Sequence, residues 1–319
     1  MLLLLACTSP PSDTSPVRSA PFGEDTAPVG SGPADSAPPD TERPPVDTGP
    51  TSDAVQASVI TTTTPVAGDF DCYRPGGTCQ SFRAYDDCVE TRSLQGSVVD
   101  ETGAALGGAT VEHFWGDWMG KEADSTVIAA SDGVLTGARV PTCTPHTVRV
   151  SGDNASESLD LHVVHPFEEG DITADVVGWS DQARDTFAAA FGTSFAADRG
   201  VVLGTITDCA GEPLAHVQVI ALDEHGDYPA GQHGHFFEGD MPSPGATATD
   251  AQGRFLLADV PPGYHVLEAW AAFEGHGTEV FRISFADMEI VEGGLVTLPL
   301  QTGVQGAVFP DACLVACGA

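Results

Sequence analysis

Gly96-Ser97-Val98-Val99-Asp100-Glu101-Thr102-Gly103-Ala104-Ala105-Leu106-Gly107-Gly108-Ala109-Thr110-Val111 decides the fold, because its pattern returns without a gap 108 residues further on. There it reads Gly204-Thr205-Ile206-Thr207-Asp208-Cys209-Ala210-Gly211-Glu212-Pro213-Leu214-Ala215-His216-Val217-Gln218-Val219. Glycine, aspartate, second glycine, leucine and closing valine coincide. In each copy a β-branched run leads into Asp-x-x-Gly, where the aspartate can cap a turn and the glycine supplies positive φ. Strand, tight turn, strand is the result. The alternation in Ala109–Phe114 and Val217–Leu222 then puts every second residue on a core face. A second stretch also recurs, with Asp132-Gly133-Val134-Leu135 through Val140-Pro141 matching Gly253-Arg254-Phe255-Leu256 through Val260-Pro261. Turn signals at Asp250–Gly253 and Val260–Gly263 bracket a strand at Arg254–Leu257, and Tyr264–Trp270 is a further strand. The prediction is an all-β chain of two antiparallel β-sandwich domains, at 94–178 and 200–303.

Composition agrees. The 319 residues include 36 Gly and 24 Pro with 7% aromatics, a turn-rich mixture that argues against a helical bundle. With 41% hydrophobic and 18% charged residues the chain can bury a core. Its net charge of −34 repels phosphate, which excludes nucleic acid, or an anionic membrane held through a basic face, as a partner. Between the copies, 179–199 holds Ser180-Asp181-Gln182-Ala183-Arg184-Asp185-Thr186-Phe187-Ala188-Ala189-Ala190-Phe191, a helix with a Ser/Asp start and Gly192 as its stop. Phe187 and Phe191 share one face, able to dock on a sandwich, so this segment reads as a bridge.

The flanks speak of location. Residues 8–65 carry half of the 24 prolines and one aromatic, Phe22. Such a segment cannot bury enough apolar surface to offset its entropy, so a disordered tether reaching roughly 40 Å is predicted. Before it, Leu4-Leu5-Ala6-Cys7 resembles the bacterial lipobox, in which a signal peptide is cut ahead of a lipid-bearing cysteine. The apolar run is shorter than the roughly 7–15 residues of a signal core and no Lys or Arg precedes it, which points to a start lying upstream. The resemblance implies export, with lipid attachment at Cys7 to the cell envelope, at the outer membrane or cell surface. The remaining cysteines, Cys72, Cys79, Cys88, Cys143, Cys209, Cys313 and Cys317, form no Cys-x-x-Cys pair, and disulfides are the default. Seven is odd, so one is left over, and connectivity stays open; local pairs Cys72–Cys79 and Cys313–Cys317 are allowed by proximity and could staple a segment at 66–93 and a tail at 304–319.

The run Gly-x-Ile-x-Asp-x-x-Gly-x-Pro-Leu-x-x-Val-x-Val, then Thr249-Asp250-Ala251-Gln252-Gly253-Arg254-Phe255 and Val260-Pro261-Pro262-Gly263-Tyr264, resembles the carboxypeptidase regulatory-like domain. The likeness covers most of 201–300 and, more loosely, 94–165. The first copy lacks the proline after its turn glycine and has Pro141-Thr142-Cys143-Thr144 where the family has Pro-Pro-Gly-Tyr. The resemblance implies a prealbumin-like sandwich acting as an accessory module, for scaffolding, adhesion or carbohydrate binding, and brings no catalytic residue or cofactor.

Three constellations bear on chemistry. His225, His233, His235 and Asp240 lie in an insertion with Tyr228, and imidazole with carboxylate suits several metals. The spacing matches no metal motif, so a solvated polar loop is the plainer reading and no metal is expected. Trp115 and Trp118 could form a sugar-stacking platform, although aromatics of a sandwich more often fill its core. Gly226-Asp227-Tyr228, Thr249-Asp250 and Pro262-Gly263-Tyr264 follow the order of motifs in the intradiol dioxygenases, whose iron is held by two tyrosines and two histidines. Beyond Tyr264 only His265 and His276 remain, and the closing His-x-His is missing. The expectation is a non-catalytic surface module that binds a glycan or protein, or a structural spacer, with a metal-dependent enzyme last.

Overall fold

The computed structural model describes residues 59–70, 90–115, 121–166, 170–238, 241–243, 245–274, 276, 279–303 and 313. Cys7, Trp118 and Asp240, the tether up to 58, and Cys72, Cys79, Cys88 and Cys317 lie outside them. The strands of the first half are β2 (Thr91–Val99), β3 (Thr110–Trp115), β4 (Ser125–Ile128), β5 (Val134–Pro141), β6 (His146–Gly152), β7 (Ala155–Val163), β8 (Ile172–Thr173), β9 (Val176–Val177) and β10 (Trp179–Ser180). Helix α1 (Ala183–Ala190) follows. The second half has β11 (Gly200–Thr207), β12 (Gln218–Asp223), β13 (His233–Glu238), β14 (Met241–Ser243), β15 (Arg254–Val260), β16 (Gly263–Phe273), β17 (Val280–Ile290) and β18 (Leu295–Gln301). A short strand, β1 (Pro65–Val66), precedes both halves.

The repeated stretch folds alike in both places. Asp100 Oδ1 accepts from the backbone N–H of Thr102 and Ala104, and Asp208 Oδ1 from those of Ala210 and Glu212. Gly103 and Gly211 take the positive φ that these turns need, 83° and 85°. Val98 and Ile206, Leu106 and Leu214, and Val111 and Val219 are all buried. Around them β2 pairs antiparallel with β5 and parallel with β8 and β9, while β11 pairs antiparallel with β15 and parallel with β18. Likewise β3–β6–β7 form an antiparallel ladder, as do β12–β16–β17. Each half is thus a sandwich of two sheets. The antiparallel expectation is amended at these parallel pairs, because β8 and β9 return beside β2, and β18 beside β11, in the same direction.

Several boundaries move. The tether gives up 59–65 to the fold: Thr61 and Thr62 N–H donate to Gln218 Oε1, and β1 pairs with Ala272–Phe273 of β16, burying Val66 in the second sandwich. Proline at Pro65 fits because β1 is a two-residue strand at a sheet end. Strand β2 begins at Thr91, three residues ahead of the predicted 94. Within the insertion expected to be a polar loop, β13 pairs with the open edge of β15 and antiparallel with β14. The helix starts at Ala183 with Gln182 as its N-cap, since Ser180 belongs to β10 and bonds Glu101 instead. Phe187 and Phe191 are buried with Trp179, Val201, Leu203, Phe237, Leu256, Ala258 and Leu295, so α1 covers the outer face of the second sandwich.

The halves are also joined directly. Strand β18 pairs parallel with β7 over Leu295–Thr297 and Ser158–Asp160, making one ten-stranded sheet of order β14-β13-β15-β11-β18-β7-β6-β3-β4 with β10 beside β7. Cys143 is bonded to Cys313, across 170 residues of sequence, in place of the local pair Cys313–Cys317. Cys209 is disulfide-bonded as well. No helix among the described residues is long and apolar enough to cross a membrane.

Candidate functional site

Alternation along β12, β16 and β17 sends Val219, Ala221, Leu267, Ala269 and Ile283 into the second core. The residues between them form the outer face. Part of it, Ile220, Leu222 and Trp270, is covered by Val59, Ile60, Tyr228 and Val280. Beside this cover lies an open groove of about 350 Å³, lined by Leu222, Asp223, Glu224, His225, Gly226, Val266, Glu268, Arg282, Phe285 and Asp287.

A partnered polar network floors it. Glu268, with 3% of its side chain exposed, accepts from Arg282 Nη1 at 2.5 Å and from Trp270 Nε1 at 3.1 Å, so its buried charge is compensated. The Arg282 guanidinium lies 4.6 Å over the Phe285 ring. Across the groove Tyr264 donates its hydroxyl to Asp287 Oδ1 at 2.5 Å, and His162 Nε2 lies 3.1 Å from the Asp287 carbonyl. The rim turn is shaped by Asp223, which accepts from the N–H of His225 and Asp227, with Gly226 at φ 80°. Four carboxylates, one guanidinium and one aromatic ring suit a neutral, hydroxyl-rich ligand better than an anion.

Among the described histidines and aromatics singled out in the sequence, His225 lines this groove, paired with Glu224 at 3.6 Å on an exposed rim. His233 and His235 lie on β13 at the far sheet, with ring centroids 6.5 Å apart. His235 stacks 4.6 Å from Phe191, and burial, helped by His233 and opposed by Asp259, lowers its pKa. Among the described residues, no three His, Cys, Asp or Glu side chains stand ready in ligating positions for a metal ion. Tyr228 donates to the Gln232 carbonyl, Tyr264 to Asp287, and His265 Nε2 lies 2.8 Å from the Pro261 carbonyl, so each has its own partner. Trp115 closes β3, half-buried opposite His146 and away from the groove. The sequence reading missed Glu268, Arg282 and Asp287. A charged residue inside the apolar run Leu267-Glu268-Ala269-Trp270 was the available signal.

No protein-family model matches the chain, and no curated protein matches it. Solved structures with a related arrangement include the shaft pilin SpaA of Lactobacillus rhamnosus GG, 10% identical over 67% of this chain and 98% of that one, TM-score 0.23. A candidate carbohydrate-binding protein of Bacteroides uniformis is 14% identical over 63% of this chain and 97% of that one, TM-score 0.22. Chlorocatechol 1,2-dioxygenase of Pseudomonas putida is 15% identical over 40% of this chain and 76% of that one, TM-score 0.21. Against the Bacillus anthracis TIE protein the chain spans about a third of the other's length, 34%. With every TM-score this low, none of these likenesses carries weight on function.

Proposed function

We propose that this chain is a non-catalytic, exported bacterial surface protein, anchored through lipid at Cys7, whose second sandwich binds a glycan in the β12–β16–β17 groove. The observation that carries this is the groove itself, with carboxylates and a guanidinium fixed by mutual bonds beside an aromatic ring. Fixed donors and acceptors cost little ordering entropy when a hydroxylated ring settles on them. The disulfide Cys143–Cys313 supports an oxidising compartment, as export requires. The matching strand pairings of the halves support two copies of one accessory module. Ring-cleaving chemistry is not proposed, because Tyr228, Tyr264 and His265 are each engaged elsewhere.

Glycan-array binding of the full chain tests the reading. Arg282→Ala and Asp287→Ala are expected to weaken the retained signal at least tenfold. An array with no signal above background, or binding unchanged in both variants, would remove the proposal. Fractionation tests the anchor separately, with Cys7→Ser expected in the soluble fraction and its retention in the membrane fraction counting against lipidation. A structural spacer is the second reading, favoured by the sheet that runs unbroken through both sandwiches. It expects no glycan signal and no loss of surface function in the groove variants.

A further inference from the structure

The outer face of β12–β16–β17 is longer than the groove that opens on it. Register sets Leu222 and Asp287 beside Val266, and Ile220 and Phe285 beside Glu268. One step further along, Gln218 and Arg282 flank Trp270. Val266, Glu268 and Trp270 alternate with the core residues Leu267, Ala269 and Ala271, so the three rows share one side of the sheet and stand about 7 Å apart along the strands. Val266, Glu268 and Phe285 line the open groove, but Trp270 is 5% exposed beneath its cover. Groove and covered patch are nonetheless continuous. Leu222 belongs to both, and Glu268 bonds Trp270 on one side and Arg282 on the other.

Much of the cover comes from far away in the chain. Val59–Thr62 cross the last row, where Gln218 Oε1 accepts from the N–H of Thr61 at 2.8 Å and of Thr62 at 3.3 Å, while Gln218 Nε2 donates to the Val59 carbonyl at 2.7 Å. Thr62 adds one bond from its hydroxyl to the His216 carbonyl at 3.0 Å. Val59 and Ile60 are half-buried on the patch, Thr63 and Thr64 are exposed, and only with β1 does pairing to β16 begin. A single amide therefore holds the backbone of this strap with one acceptor and one donor. Those are also the groups to which the hydroxyls of a sugar bond.

We propose that Val59–Thr62 form a displaceable strap over a second, aromatic subsite of the groove, built from Trp270, Ile220 and the Gln218 amide, and that its ligand is a longer glycan chain. This extends the glycan reading of the groove and rests on it. A chain of hydroxylated rings that runs past Glu268 meets the strap, swings it out about Thr63–Thr64, lays a ring on the Trp270 indole and takes over both bonding positions of Gln218. A ligand that ends at Phe285 leaves the strap closed. Only the open form accepts the longer chain, so the closed strap lowers the apparent affinity for long ligands by the open fraction and leaves short ones untouched.

The test probes the full chain on an array carrying disaccharides to hexasaccharides of the cellulose, chitin and mannan series. Val59→Ser/Ile60→Ser loosens the strap without touching Gln218 or Trp270. It is expected to raise the hexasaccharide signal about fivefold, the scale of one aromatic stacking contact, and to leave disaccharides unchanged. Trp270→Leu should bring hexasaccharides down to the disaccharide level. Should Trp270→Leu not fold, acrylamide quenching of tryptophan fluorescence, measured without any glycan, decides from the strap variant alone, in which quenching should rise above that of the unmodified chain. Equal binding of long and short oligomers, in the unmodified chain and the strap variant alike, overturns the subsite while leaving the groove reading intact. So does quenching that the strap variant leaves unchanged, because Val59 and Ile60 would then not shield Trp270. No signal at any length removes the groove reading, and the subsite with it.

Discussion

A methyl group added at Gly204 would fall well inside contact distance of the Leu298 carbonyl and the Phe255 ring, and one at Gly96 would meet the Ala174 carbonyl in the same way. Both glycines open the repeated stretch, and both exist to let a returning strand pass close by. Gly204→Ala is therefore expected to cost about 1–3 kcal/mol by overpacking, while Gly245→Ala, with open space around it, should stay within about 0.5 kcal/mol. Denaturant midpoints compare the two, and equal midpoints would refute the close approach. The buried histidines give a pH dependence of definite sign. In the unfolded chain they protonate near 6.5, but in the fold only near 4, 3 and 4 for His113, His146 and His165. As pH falls below 6.5 the unfolded state takes up protons first, so stability drops until the native rings also protonate. The unmodified chain and His146→Phe, followed by urea unfolding from pH 7 to 4, should show a shallower slope in the variant. At this scale the Asp-x-x-Gly turns were legible in the sequence because cap and glycine are neighbours in the chain. His113, His146 and His165 were not, since only strand register brings residues so far apart to one corner.

Between elements, the joint of β18 on β7 was invisible in the sequence. Hydrophobic alternation fixes which face of a strand is buried and says nothing of which strand lies at its edge. The same limit hid β13 on the edge of β15 and β1 on β16, whereas the docking of α1 followed from Phe187 and Phe191 standing one turn apart. At the joint Asp160 faces Thr297, whose hydroxyl donates to Asp160 Oδ1, and desolvation pushes the carboxyl up to about 7. A carboxyl raised in the fold is held protonated there, so its contribution to stability is present below the unfolded value near 3.8 and is lost as pH rises towards 7. This opposes the histidines over part of the same range, which is why single substitutions are needed to separate them. Asp160→Asn removes the charge while keeping an acceptor for Thr297. The stability gained by Asp160→Asn is expected to be about zero at pH 4 and to grow to the order of 1–2 kcal/mol at pH 8. A difference independent of pH would mean that Asp160 is solvated and ionised throughout.

For the whole molecule, the sequence reading of two modules on a bridge implies two independent unfolding units, and the structure argues for one. A ten-stranded sheet crosses from one half to the other, α1 covers the second half directly after β10 leaves the first, and Cys313 returns the tail to Cys143. Melting either sandwich would expose the edge of β7 or β18 and the apolar residues Leu159 and Leu161, which sit in the core cluster of the second half. Differential scanning calorimetry is therefore expected to give a single transition whose calorimetric and van't Hoff enthalpies agree. The disulfide restrains the unfolded chain over 170 residues, so Cys143→Ser should lower stability by the order of 2–5 kcal/mol. Because the bridge also fixes the corner holding His165, the loss should fall first on the first sandwich and split the transition in the variant. Two transitions in the unmodified chain would instead mean that β18 merely rests against β7, and that the sandwiches are separate modules after all.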